Sequence, residues 1–248
     1  MINLSFRTSL LGSTLSSLIL LTGGSQFLPP SNFPPRISLE FPPTQGENPQ
    51  STVGGSTRGE CLEKDKALTF LGPGTPQLNT TTPSPSFFFY IPLKPDLSRA
   101  IDTEFELTQN QQKLFISQGK INQAGILQVQ LPASTSLALH QPYKWAFTII
   151  CDPLDQGANK WVEGEIERTP LPAELATQLE TTTTPLQQAE LYAAAKLWHE
   201  TLEIAASLRQ ENQQPWQQLL QSVGLAPLAD IPFLSETPTE FLMPPEIP

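Results

Sequence analysis

Residues 86–92, SFFFYIP, constrain the fold more than any other stretch of this chain. Read as a strand, they put Phe87, Phe89 and Ile91 on one face and Phe88 and Tyr90 on the other. A strand that is apolar on both faces has to be covered on both, inside a sandwich or beneath another element.

The segments around it supply the sandwich. Residues 102–108 alternate, with Thr103, Phe105 and Leu107 inward and Asp102, Glu104 and Glu106 outward. The turn-like Gln109-Asn110-Gln111-Gln112 leads into a hairpin partner over 113–117. Residues 126–131 repeat the alternation, with Leu127, Val129 and Leu131 set against Gln128 and Gln130. Residues 143–151 gather Tyr143, Trp145, Phe147, Ile149 and Cys151 on one face and stop at Asp152-Pro153, since proline cannot donate to a ladder. After a turn at Asp155-Gln156-Gly157, residues 160–168 turn Val162, Gly164 and Ile166 inward and Trp161, Glu163, Glu165 and Glu167 outward. With a short run at 67–71, this predicts about seven strands in an antiparallel β-sandwich, immunoglobulin-like in architecture.

The hydrophobic period then changes from 2 to 3.6. A short helix is predicted over 172–179. Thr184-Pro185-Leu186-Gln187 reads as a capping box opening a long helix to about residue 209. Its apolar stripe includes Leu186, Ala189, Ala193, Leu197, Ile204 and Leu208. Pro215 opens a third helix and Gly224 closes it. The expectation is a mainly β domain with a C-terminal three-helix cap.

Composition divides the chain. It holds 26 prolines in 248 residues, about twice ordinary usage, and many lie outside the periodic segments. Residues 1–25 read as a signal peptide, with an apolar stretch at 10–21 and small residues at 22–25. Residues 26–57 read as a Pro/Ser/Thr-rich disordered linker and 235–248 as a disordered Pro-rich tail. The foldable unit is 58–234. A signal peptide implies an extracytoplasmic location, in the periplasm or secreted, with no stable membrane span after cleavage. The formal charge of -10 comes with no basic run, which excludes nucleic acid as a partner.

Cys61 and Cys151 are the only cysteines. In an oxidising compartment an isolated pair is most simply a disulfide, the alternative being two buried free thiols. Their spacing fits no CxxC redox motif or four-ligand zinc site.

Candidate chemistry is sparse. Glu163, Glu165 and Glu167 recur at roughly 7 Å along one strand face. They read as a solvated, charged edge before they read as a glycosidase pair. His199 and Glu203 stand i, i+4 on the long helix and read as a helix-surface pair, since two ligands make no metal site. There is no GxSxG elbow and no phosphate-cradling glycine loop. No catalytic residue, metal or cofactor is expected. Trp145 belongs in the core. Trp161 either packs under the helices or, with the glutamates, forms a surface for binding.

TRGEC (57–61), ALTFL (67–71), FFFYIP (87–92), YKWAFTIICDP (143–153), WVEGEIER (161–168), LWHETL (197–202) and LLQSVGL (219–225) together resemble the cyanobacterial domain-of-unknown-function 928 family over about residues 57–232. The resemblance implies a secreted or periplasmic protein with a signal peptide, a variable linker and this one domain. It also places Cys61 and Cys151 at the family's two cysteine positions, in support of the bridge. It implies no activity. The expectation is therefore a non-catalytic binding or scaffold module of the cell envelope, with an envelope protein or glycan as partner. The alternatives are a carbohydrate-binding or carbohydrate-active protein and an accessory factor for secretion or assembly.

Overall fold

The alternating segments form strands because each can bury one face, and two sheets result. In this computed structural model the described residues are 38–43, 61–75 and 77–234, with the backbone of 240–242. The larger sheet has the order β2-β8-β7-β4-β5-β9 and the smaller β1-β3-β6. The strands are β1 (Thr69–Phe70), β2 (Gln77–Thr80), β3 (Ser86–Ile91), β4 (Ile101–Gln109), β5 (Gln112–Ile121), β6 (Gly125–Gln130), β7 (Pro142–Ile150), β8 (Lys160–Arg168) and β9 (Glu240–Leu242). Four helices follow β8: α1 (Ala173–Thr181), α2 (Pro185–Ala194), α3 (Trp198–Leu208) and α4 (Gln214–Ser222). The molecule is thus mainly β, sandwich-like, with C-terminal helices.

Strand β3 organises the layers. Every residue of it is buried. Phe87, Phe89 and Ile91 join Phe105, Trp145, Phe147 and Ile166 in a core between the two sheets. Phe88 and Tyr90 join Trp198, Leu202, Trp216 and Leu220 in a second core between the small sheet and the helices. The three fully buried phenylalanines contribute roughly 1.5–3 kcal/mol each in transfer free energy. Phe89 stacks on Phe147 at 4.3 Å between ring centroids, which fixes the spacing of the sheets.

The disulfide joins Cys61 to Cys151, with a Cα separation of 5.4 Å. It ties the end of β7 to the first described residues of the β-domain. The Cys61 carbonyl accepts from Lys94 N–H at 3.0 Å, just beyond β3. The Arg99 guanidinium donates to the Cys151 carbonyl at 2.7 Å.

Four features depart from the sequence expectation. The strand pairs are antiparallel except one, for β2 runs parallel to β8, Leu78 opposite Ile166. QLNT was not recognisable as a strand because Leu78 is its one apolar residue. The long helix is two helices. It breaks at Lys196, whose φ is 60°. Lys196 N–H donates to the Ala193 carbonyl and Leu197 N–H to the Tyr192 carbonyl, both at 2.9 Å, the paired bonds of a Schellman cap.

The segment expected to be linker also contributes to the fold. Leu39 and Phe41 are buried in the second core. Their backbone N–H groups donate to Gln218 Oε1 at 3.2 Å and Ser222 Oγ at 3.0 Å on α4. Within the expected disordered tail, Glu240–Leu242 pairs antiparallel with β5, Phe241 opposite Ser117. The signal-peptide reading of 1–25 falls outside the described residues.

Candidate functional site

Strand β8 shows two different faces. Val162 and Ile166 are buried between the sheets, while Trp161 is 39% exposed and Glu163 is exposed. Register extends this outer face across three strands. Trp161 lies opposite Thr148, Glu163 opposite Ala146 and Glu165 opposite Lys144. On β4, Glu104 lies opposite Thr148 and Glu106 opposite Ala146. None of these outward residues belongs to either core. Trp161 therefore does not pack under the helices. They lie on the far side of the small sheet.

The glutamate row is not uniform. Glu165 pairs with Lys144 at 3.7 Å and Glu167 with the His140 ring at 3.9 Å. Further across the face, Glu106 pairs with Lys113, Asp102 with Lys120 at 2.5 Å, and Glu104 accepts from Gln118 at 2.6 Å. Glu163 has no ion partner among the described residues. The predicted four-residue surface contracts to Trp161 and Glu163, with Ala146 and Thr148 forming a low floor beside them.

His199 and Glu203 are not a surface pair. His199 is 1% exposed. Its Nδ1 lies 3.0 Å from the Ser86 carbonyl, so that nitrogen carries the proton and donates. Nε2 is buried with no partner among the described residues. Burial holds the imidazole below its ordinary range. Burial also raises the Glu203 carboxyl, and the nearby Glu200 charge adds to that.

Glu200, which the sequence reading did not single out, is the more engaged carboxylate. One oxygen accepts from Thr80 Oγ1 at 2.7 Å, Thr81 N–H at 2.5 Å, Thr81 Oγ1 at 2.9 Å and Thr82 N–H at 3.1 Å. Successive threonines at the end of β2 close over the start of α3. This clamp holds the β2–β3 connection. The run Thr80-Thr81-Thr82 was the available signal, but nothing local tells what faces it. The buried Lys160 opens β8, and burial lowers its ammonium below the ordinary value.

Among the described residues no three His, Cys, Asp or Glu side chains converge as a metal site. No described helix is long and apolar enough to cross a membrane. No curated protein matches the chain. The chain belongs to the family described as Domain of Unknown Function (DUF928), whose profile matches residues 53–233.

Proposed function

We propose that this domain is a non-catalytic binding module of the cell envelope, acting outside the cytoplasm and docking a glycan on the outer face of its large sheet. The observation that carries the reading is the placement of Trp161. A large apolar indole stays 39% exposed on an outward strand face beside Glu163, which has no ion partner among the described residues. Exposed tryptophan is costly to leave in water and is the side chain most enriched at binding hot spots. An indole face beside a carboxylate suits a sugar ring, which offers C–H groups to the indole and hydroxyl donors to the acid. The disulfide fits an oxidising compartment. The acidic surroundings disfavour a polyanionic partner.

The test is retention on insoluble envelope polysaccharide, with a parallel pull-down from solubilised envelope. Wild-type protein should be retained, Trp161→Ala should weaken retention at least tenfold, and Glu163→Gln should weaken it several-fold. Equal retention of Trp161→Ala and wild type, or none of either, defeats the proposal. A partner captured equally well by both proteins would point to a protein contact elsewhere.

A further inference from the structure

The small sheet does not cover the whole of the large one. Strand β6 is its edge, and beyond it the inward face of β4 and β5 carries small residues, Ser117 and Gly119, where larger ones would be needed to meet it. A cavity of about 380 Å³ results, walled by Phe105, Phe147, Ile121, Leu127, Val129 and Leu131. That is at the small end of the roughly 300–1,000 Å³ of ligand sites.

Three hydroxyl residues line this cavity; Ser84 donates to the Pro132 carbonyl at 3.5 Å, which leaves Thr103 and Ser117 to face a ligand. Thr103 and Ser117 are 4% and 5% exposed and sit diagonally on β4 and β5, since Thr103 pairs with Gly119 and Phe105 with Ser117. Among the described residues neither side chain makes a hydrogen bond. Their oxygens open onto the cavity, and each can both donate and accept. One charged residue, Lys120, is among the described lining residues. Its ammonium is held by Asp102 at 2.5 Å.

We propose that this cavity binds a neutral, mainly apolar molecule carrying one hydrogen-bonding oxygen, a ketone, ester or alcohol. The apolar body lies against the aromatic and branched walls, and the oxygen meets Thr103 and Ser117. A carboxylate or ammonium is rejected, because among the described lining residues the one charged side chain, Lys120, is already engaged by Asp102 and offers nothing to offset its desolvation. This site is independent of the outer face at Trp161.

The probe is the neutral naphthyl ketone prodan, titrated into the full chain and followed by its blue-shifted emission. Saturable binding at one site is expected. Ser117→Phe and Val129→Phe, which fill the cavity, should each weaken it at least tenfold. The double variant Thr103→Val/Ser117→Ala should weaken it several-fold, and a naphthyl carboxylate of similar size should bind at least tenfold more weakly than prodan. Trp161→Ala should bind prodan as wild type does. Absence of saturation, unchanged binding in a folded cavity-filled variant, or equal binding of the carboxylate overturns the proposal. Should both filled variants fail to fold, methyl NMR of the wild-type protein decides. Prodan-induced shifts centred on Leu127, Val129 and Leu131 support the site, and shifts elsewhere or none reject it.

Discussion

Gly164 on β8 lies directly opposite Trp145 on β7, and the indole occupies the space a side chain would need. A Cβ at Gly164 would stand 2.6 Å from Trp145 Cζ2 and 2.9 Å from Cε2. The indole cannot retreat, because Phe70, Phe87 and Phe89 pack on it at 4.6, 5.6 and 5.8 Å between ring centroids. Gly164→Ala should therefore destabilise the fold by about 1–3 kcal/mol, the usual range for overpacking a filled core. Urea unfolding checks it: the midpoint should fall with no change of slope. An unshifted midpoint would mean that the indole has room to move.

The bridge closes a loop over a sequence separation of 90. In the chain-entropy model its loss removes roughly 4–5 kcal/mol, a Tm drop of about 10–20 °C for a domain of this size. Cys61→Ala/Cys151→Ala and the reduced wild type should melt together. Non-reducing mass spectrometry should find one intramolecular bridge between Cys61 and Cys151.

Phe41 meets the Trp198 ring edge-on at 5.0 Å and is 3% exposed. Phe41→Ala should cost about 3 kcal/mol, as other buried aromatic truncations do. A chain starting at residue 44 should lose at least as much, read by thermal melting against one starting at residue 37. Equal Tm values would show that the segment adds nothing to the fold.

Acid should weaken the protein through His199. Its folded pKa lies below the ordinary 6.5 because of burial. As pH falls through 6.5 the unfolded chain takes up a proton that the folded one refuses, so stability present above 6.5 is lost toward the lower folded value. Glu203 acts in the opposite sense. Its raised pKa makes the folded state the better proton acceptor between 4.5 and that raised value. Glu200 also faces this cluster, and its charge favours the protonated imidazole. The His199→Gln variant should be less stable than wild type at pH 7.5 but show a flatter decline to pH 5.5. Parallel declines in the two proteins would assign the acid sensitivity elsewhere.

Lys196 holds a left-handed conformation that glycine adopts freely and a β-branched residue does not. Lys196→Ile should cost about 1–2 kcal/mol, while Lys196→Gly should cost nothing measurable. Circular dichroism melts separate the two.

These residues also show where the chain is legible. Both α2 and α4 end in the same cap, for Gly224 N–H donates to the Gln221 carbonyl at 3.1 Å and Leu225 N–H to the Leu220 carbonyl at 2.8 Å. Gly224 announces that stop, whereas Lys196 does not, and so one helix end was readable and the other was not. Likewise β4, β7 and β8 were readable with their inward and outward residues, since alternation is a local property. The outward position of Trp161 and Glu163 came from the same alternation, but which side of the sheet the helices would cover did not.

By itself, the sequence determined the strand faces, the need of β3 for cover on both sides and the change to helix after β8, and it made a bridge between its only two cysteines the simplest reading. Each follows from side-chain period, from turn chemistry over a few residues or from simple count. The tertiary structure decided that β2 joins β8 in parallel, that Leu39 and Phe41 complete the helical core, that His199 and Glu200 are buried, and that a cavity remains beside β6. Those outcomes depend on contacts between residues far apart in the chain, such as Glu200 with Thr80 and Phe41 with Ser222, where packing and hydrogen-bond satisfaction override local preference.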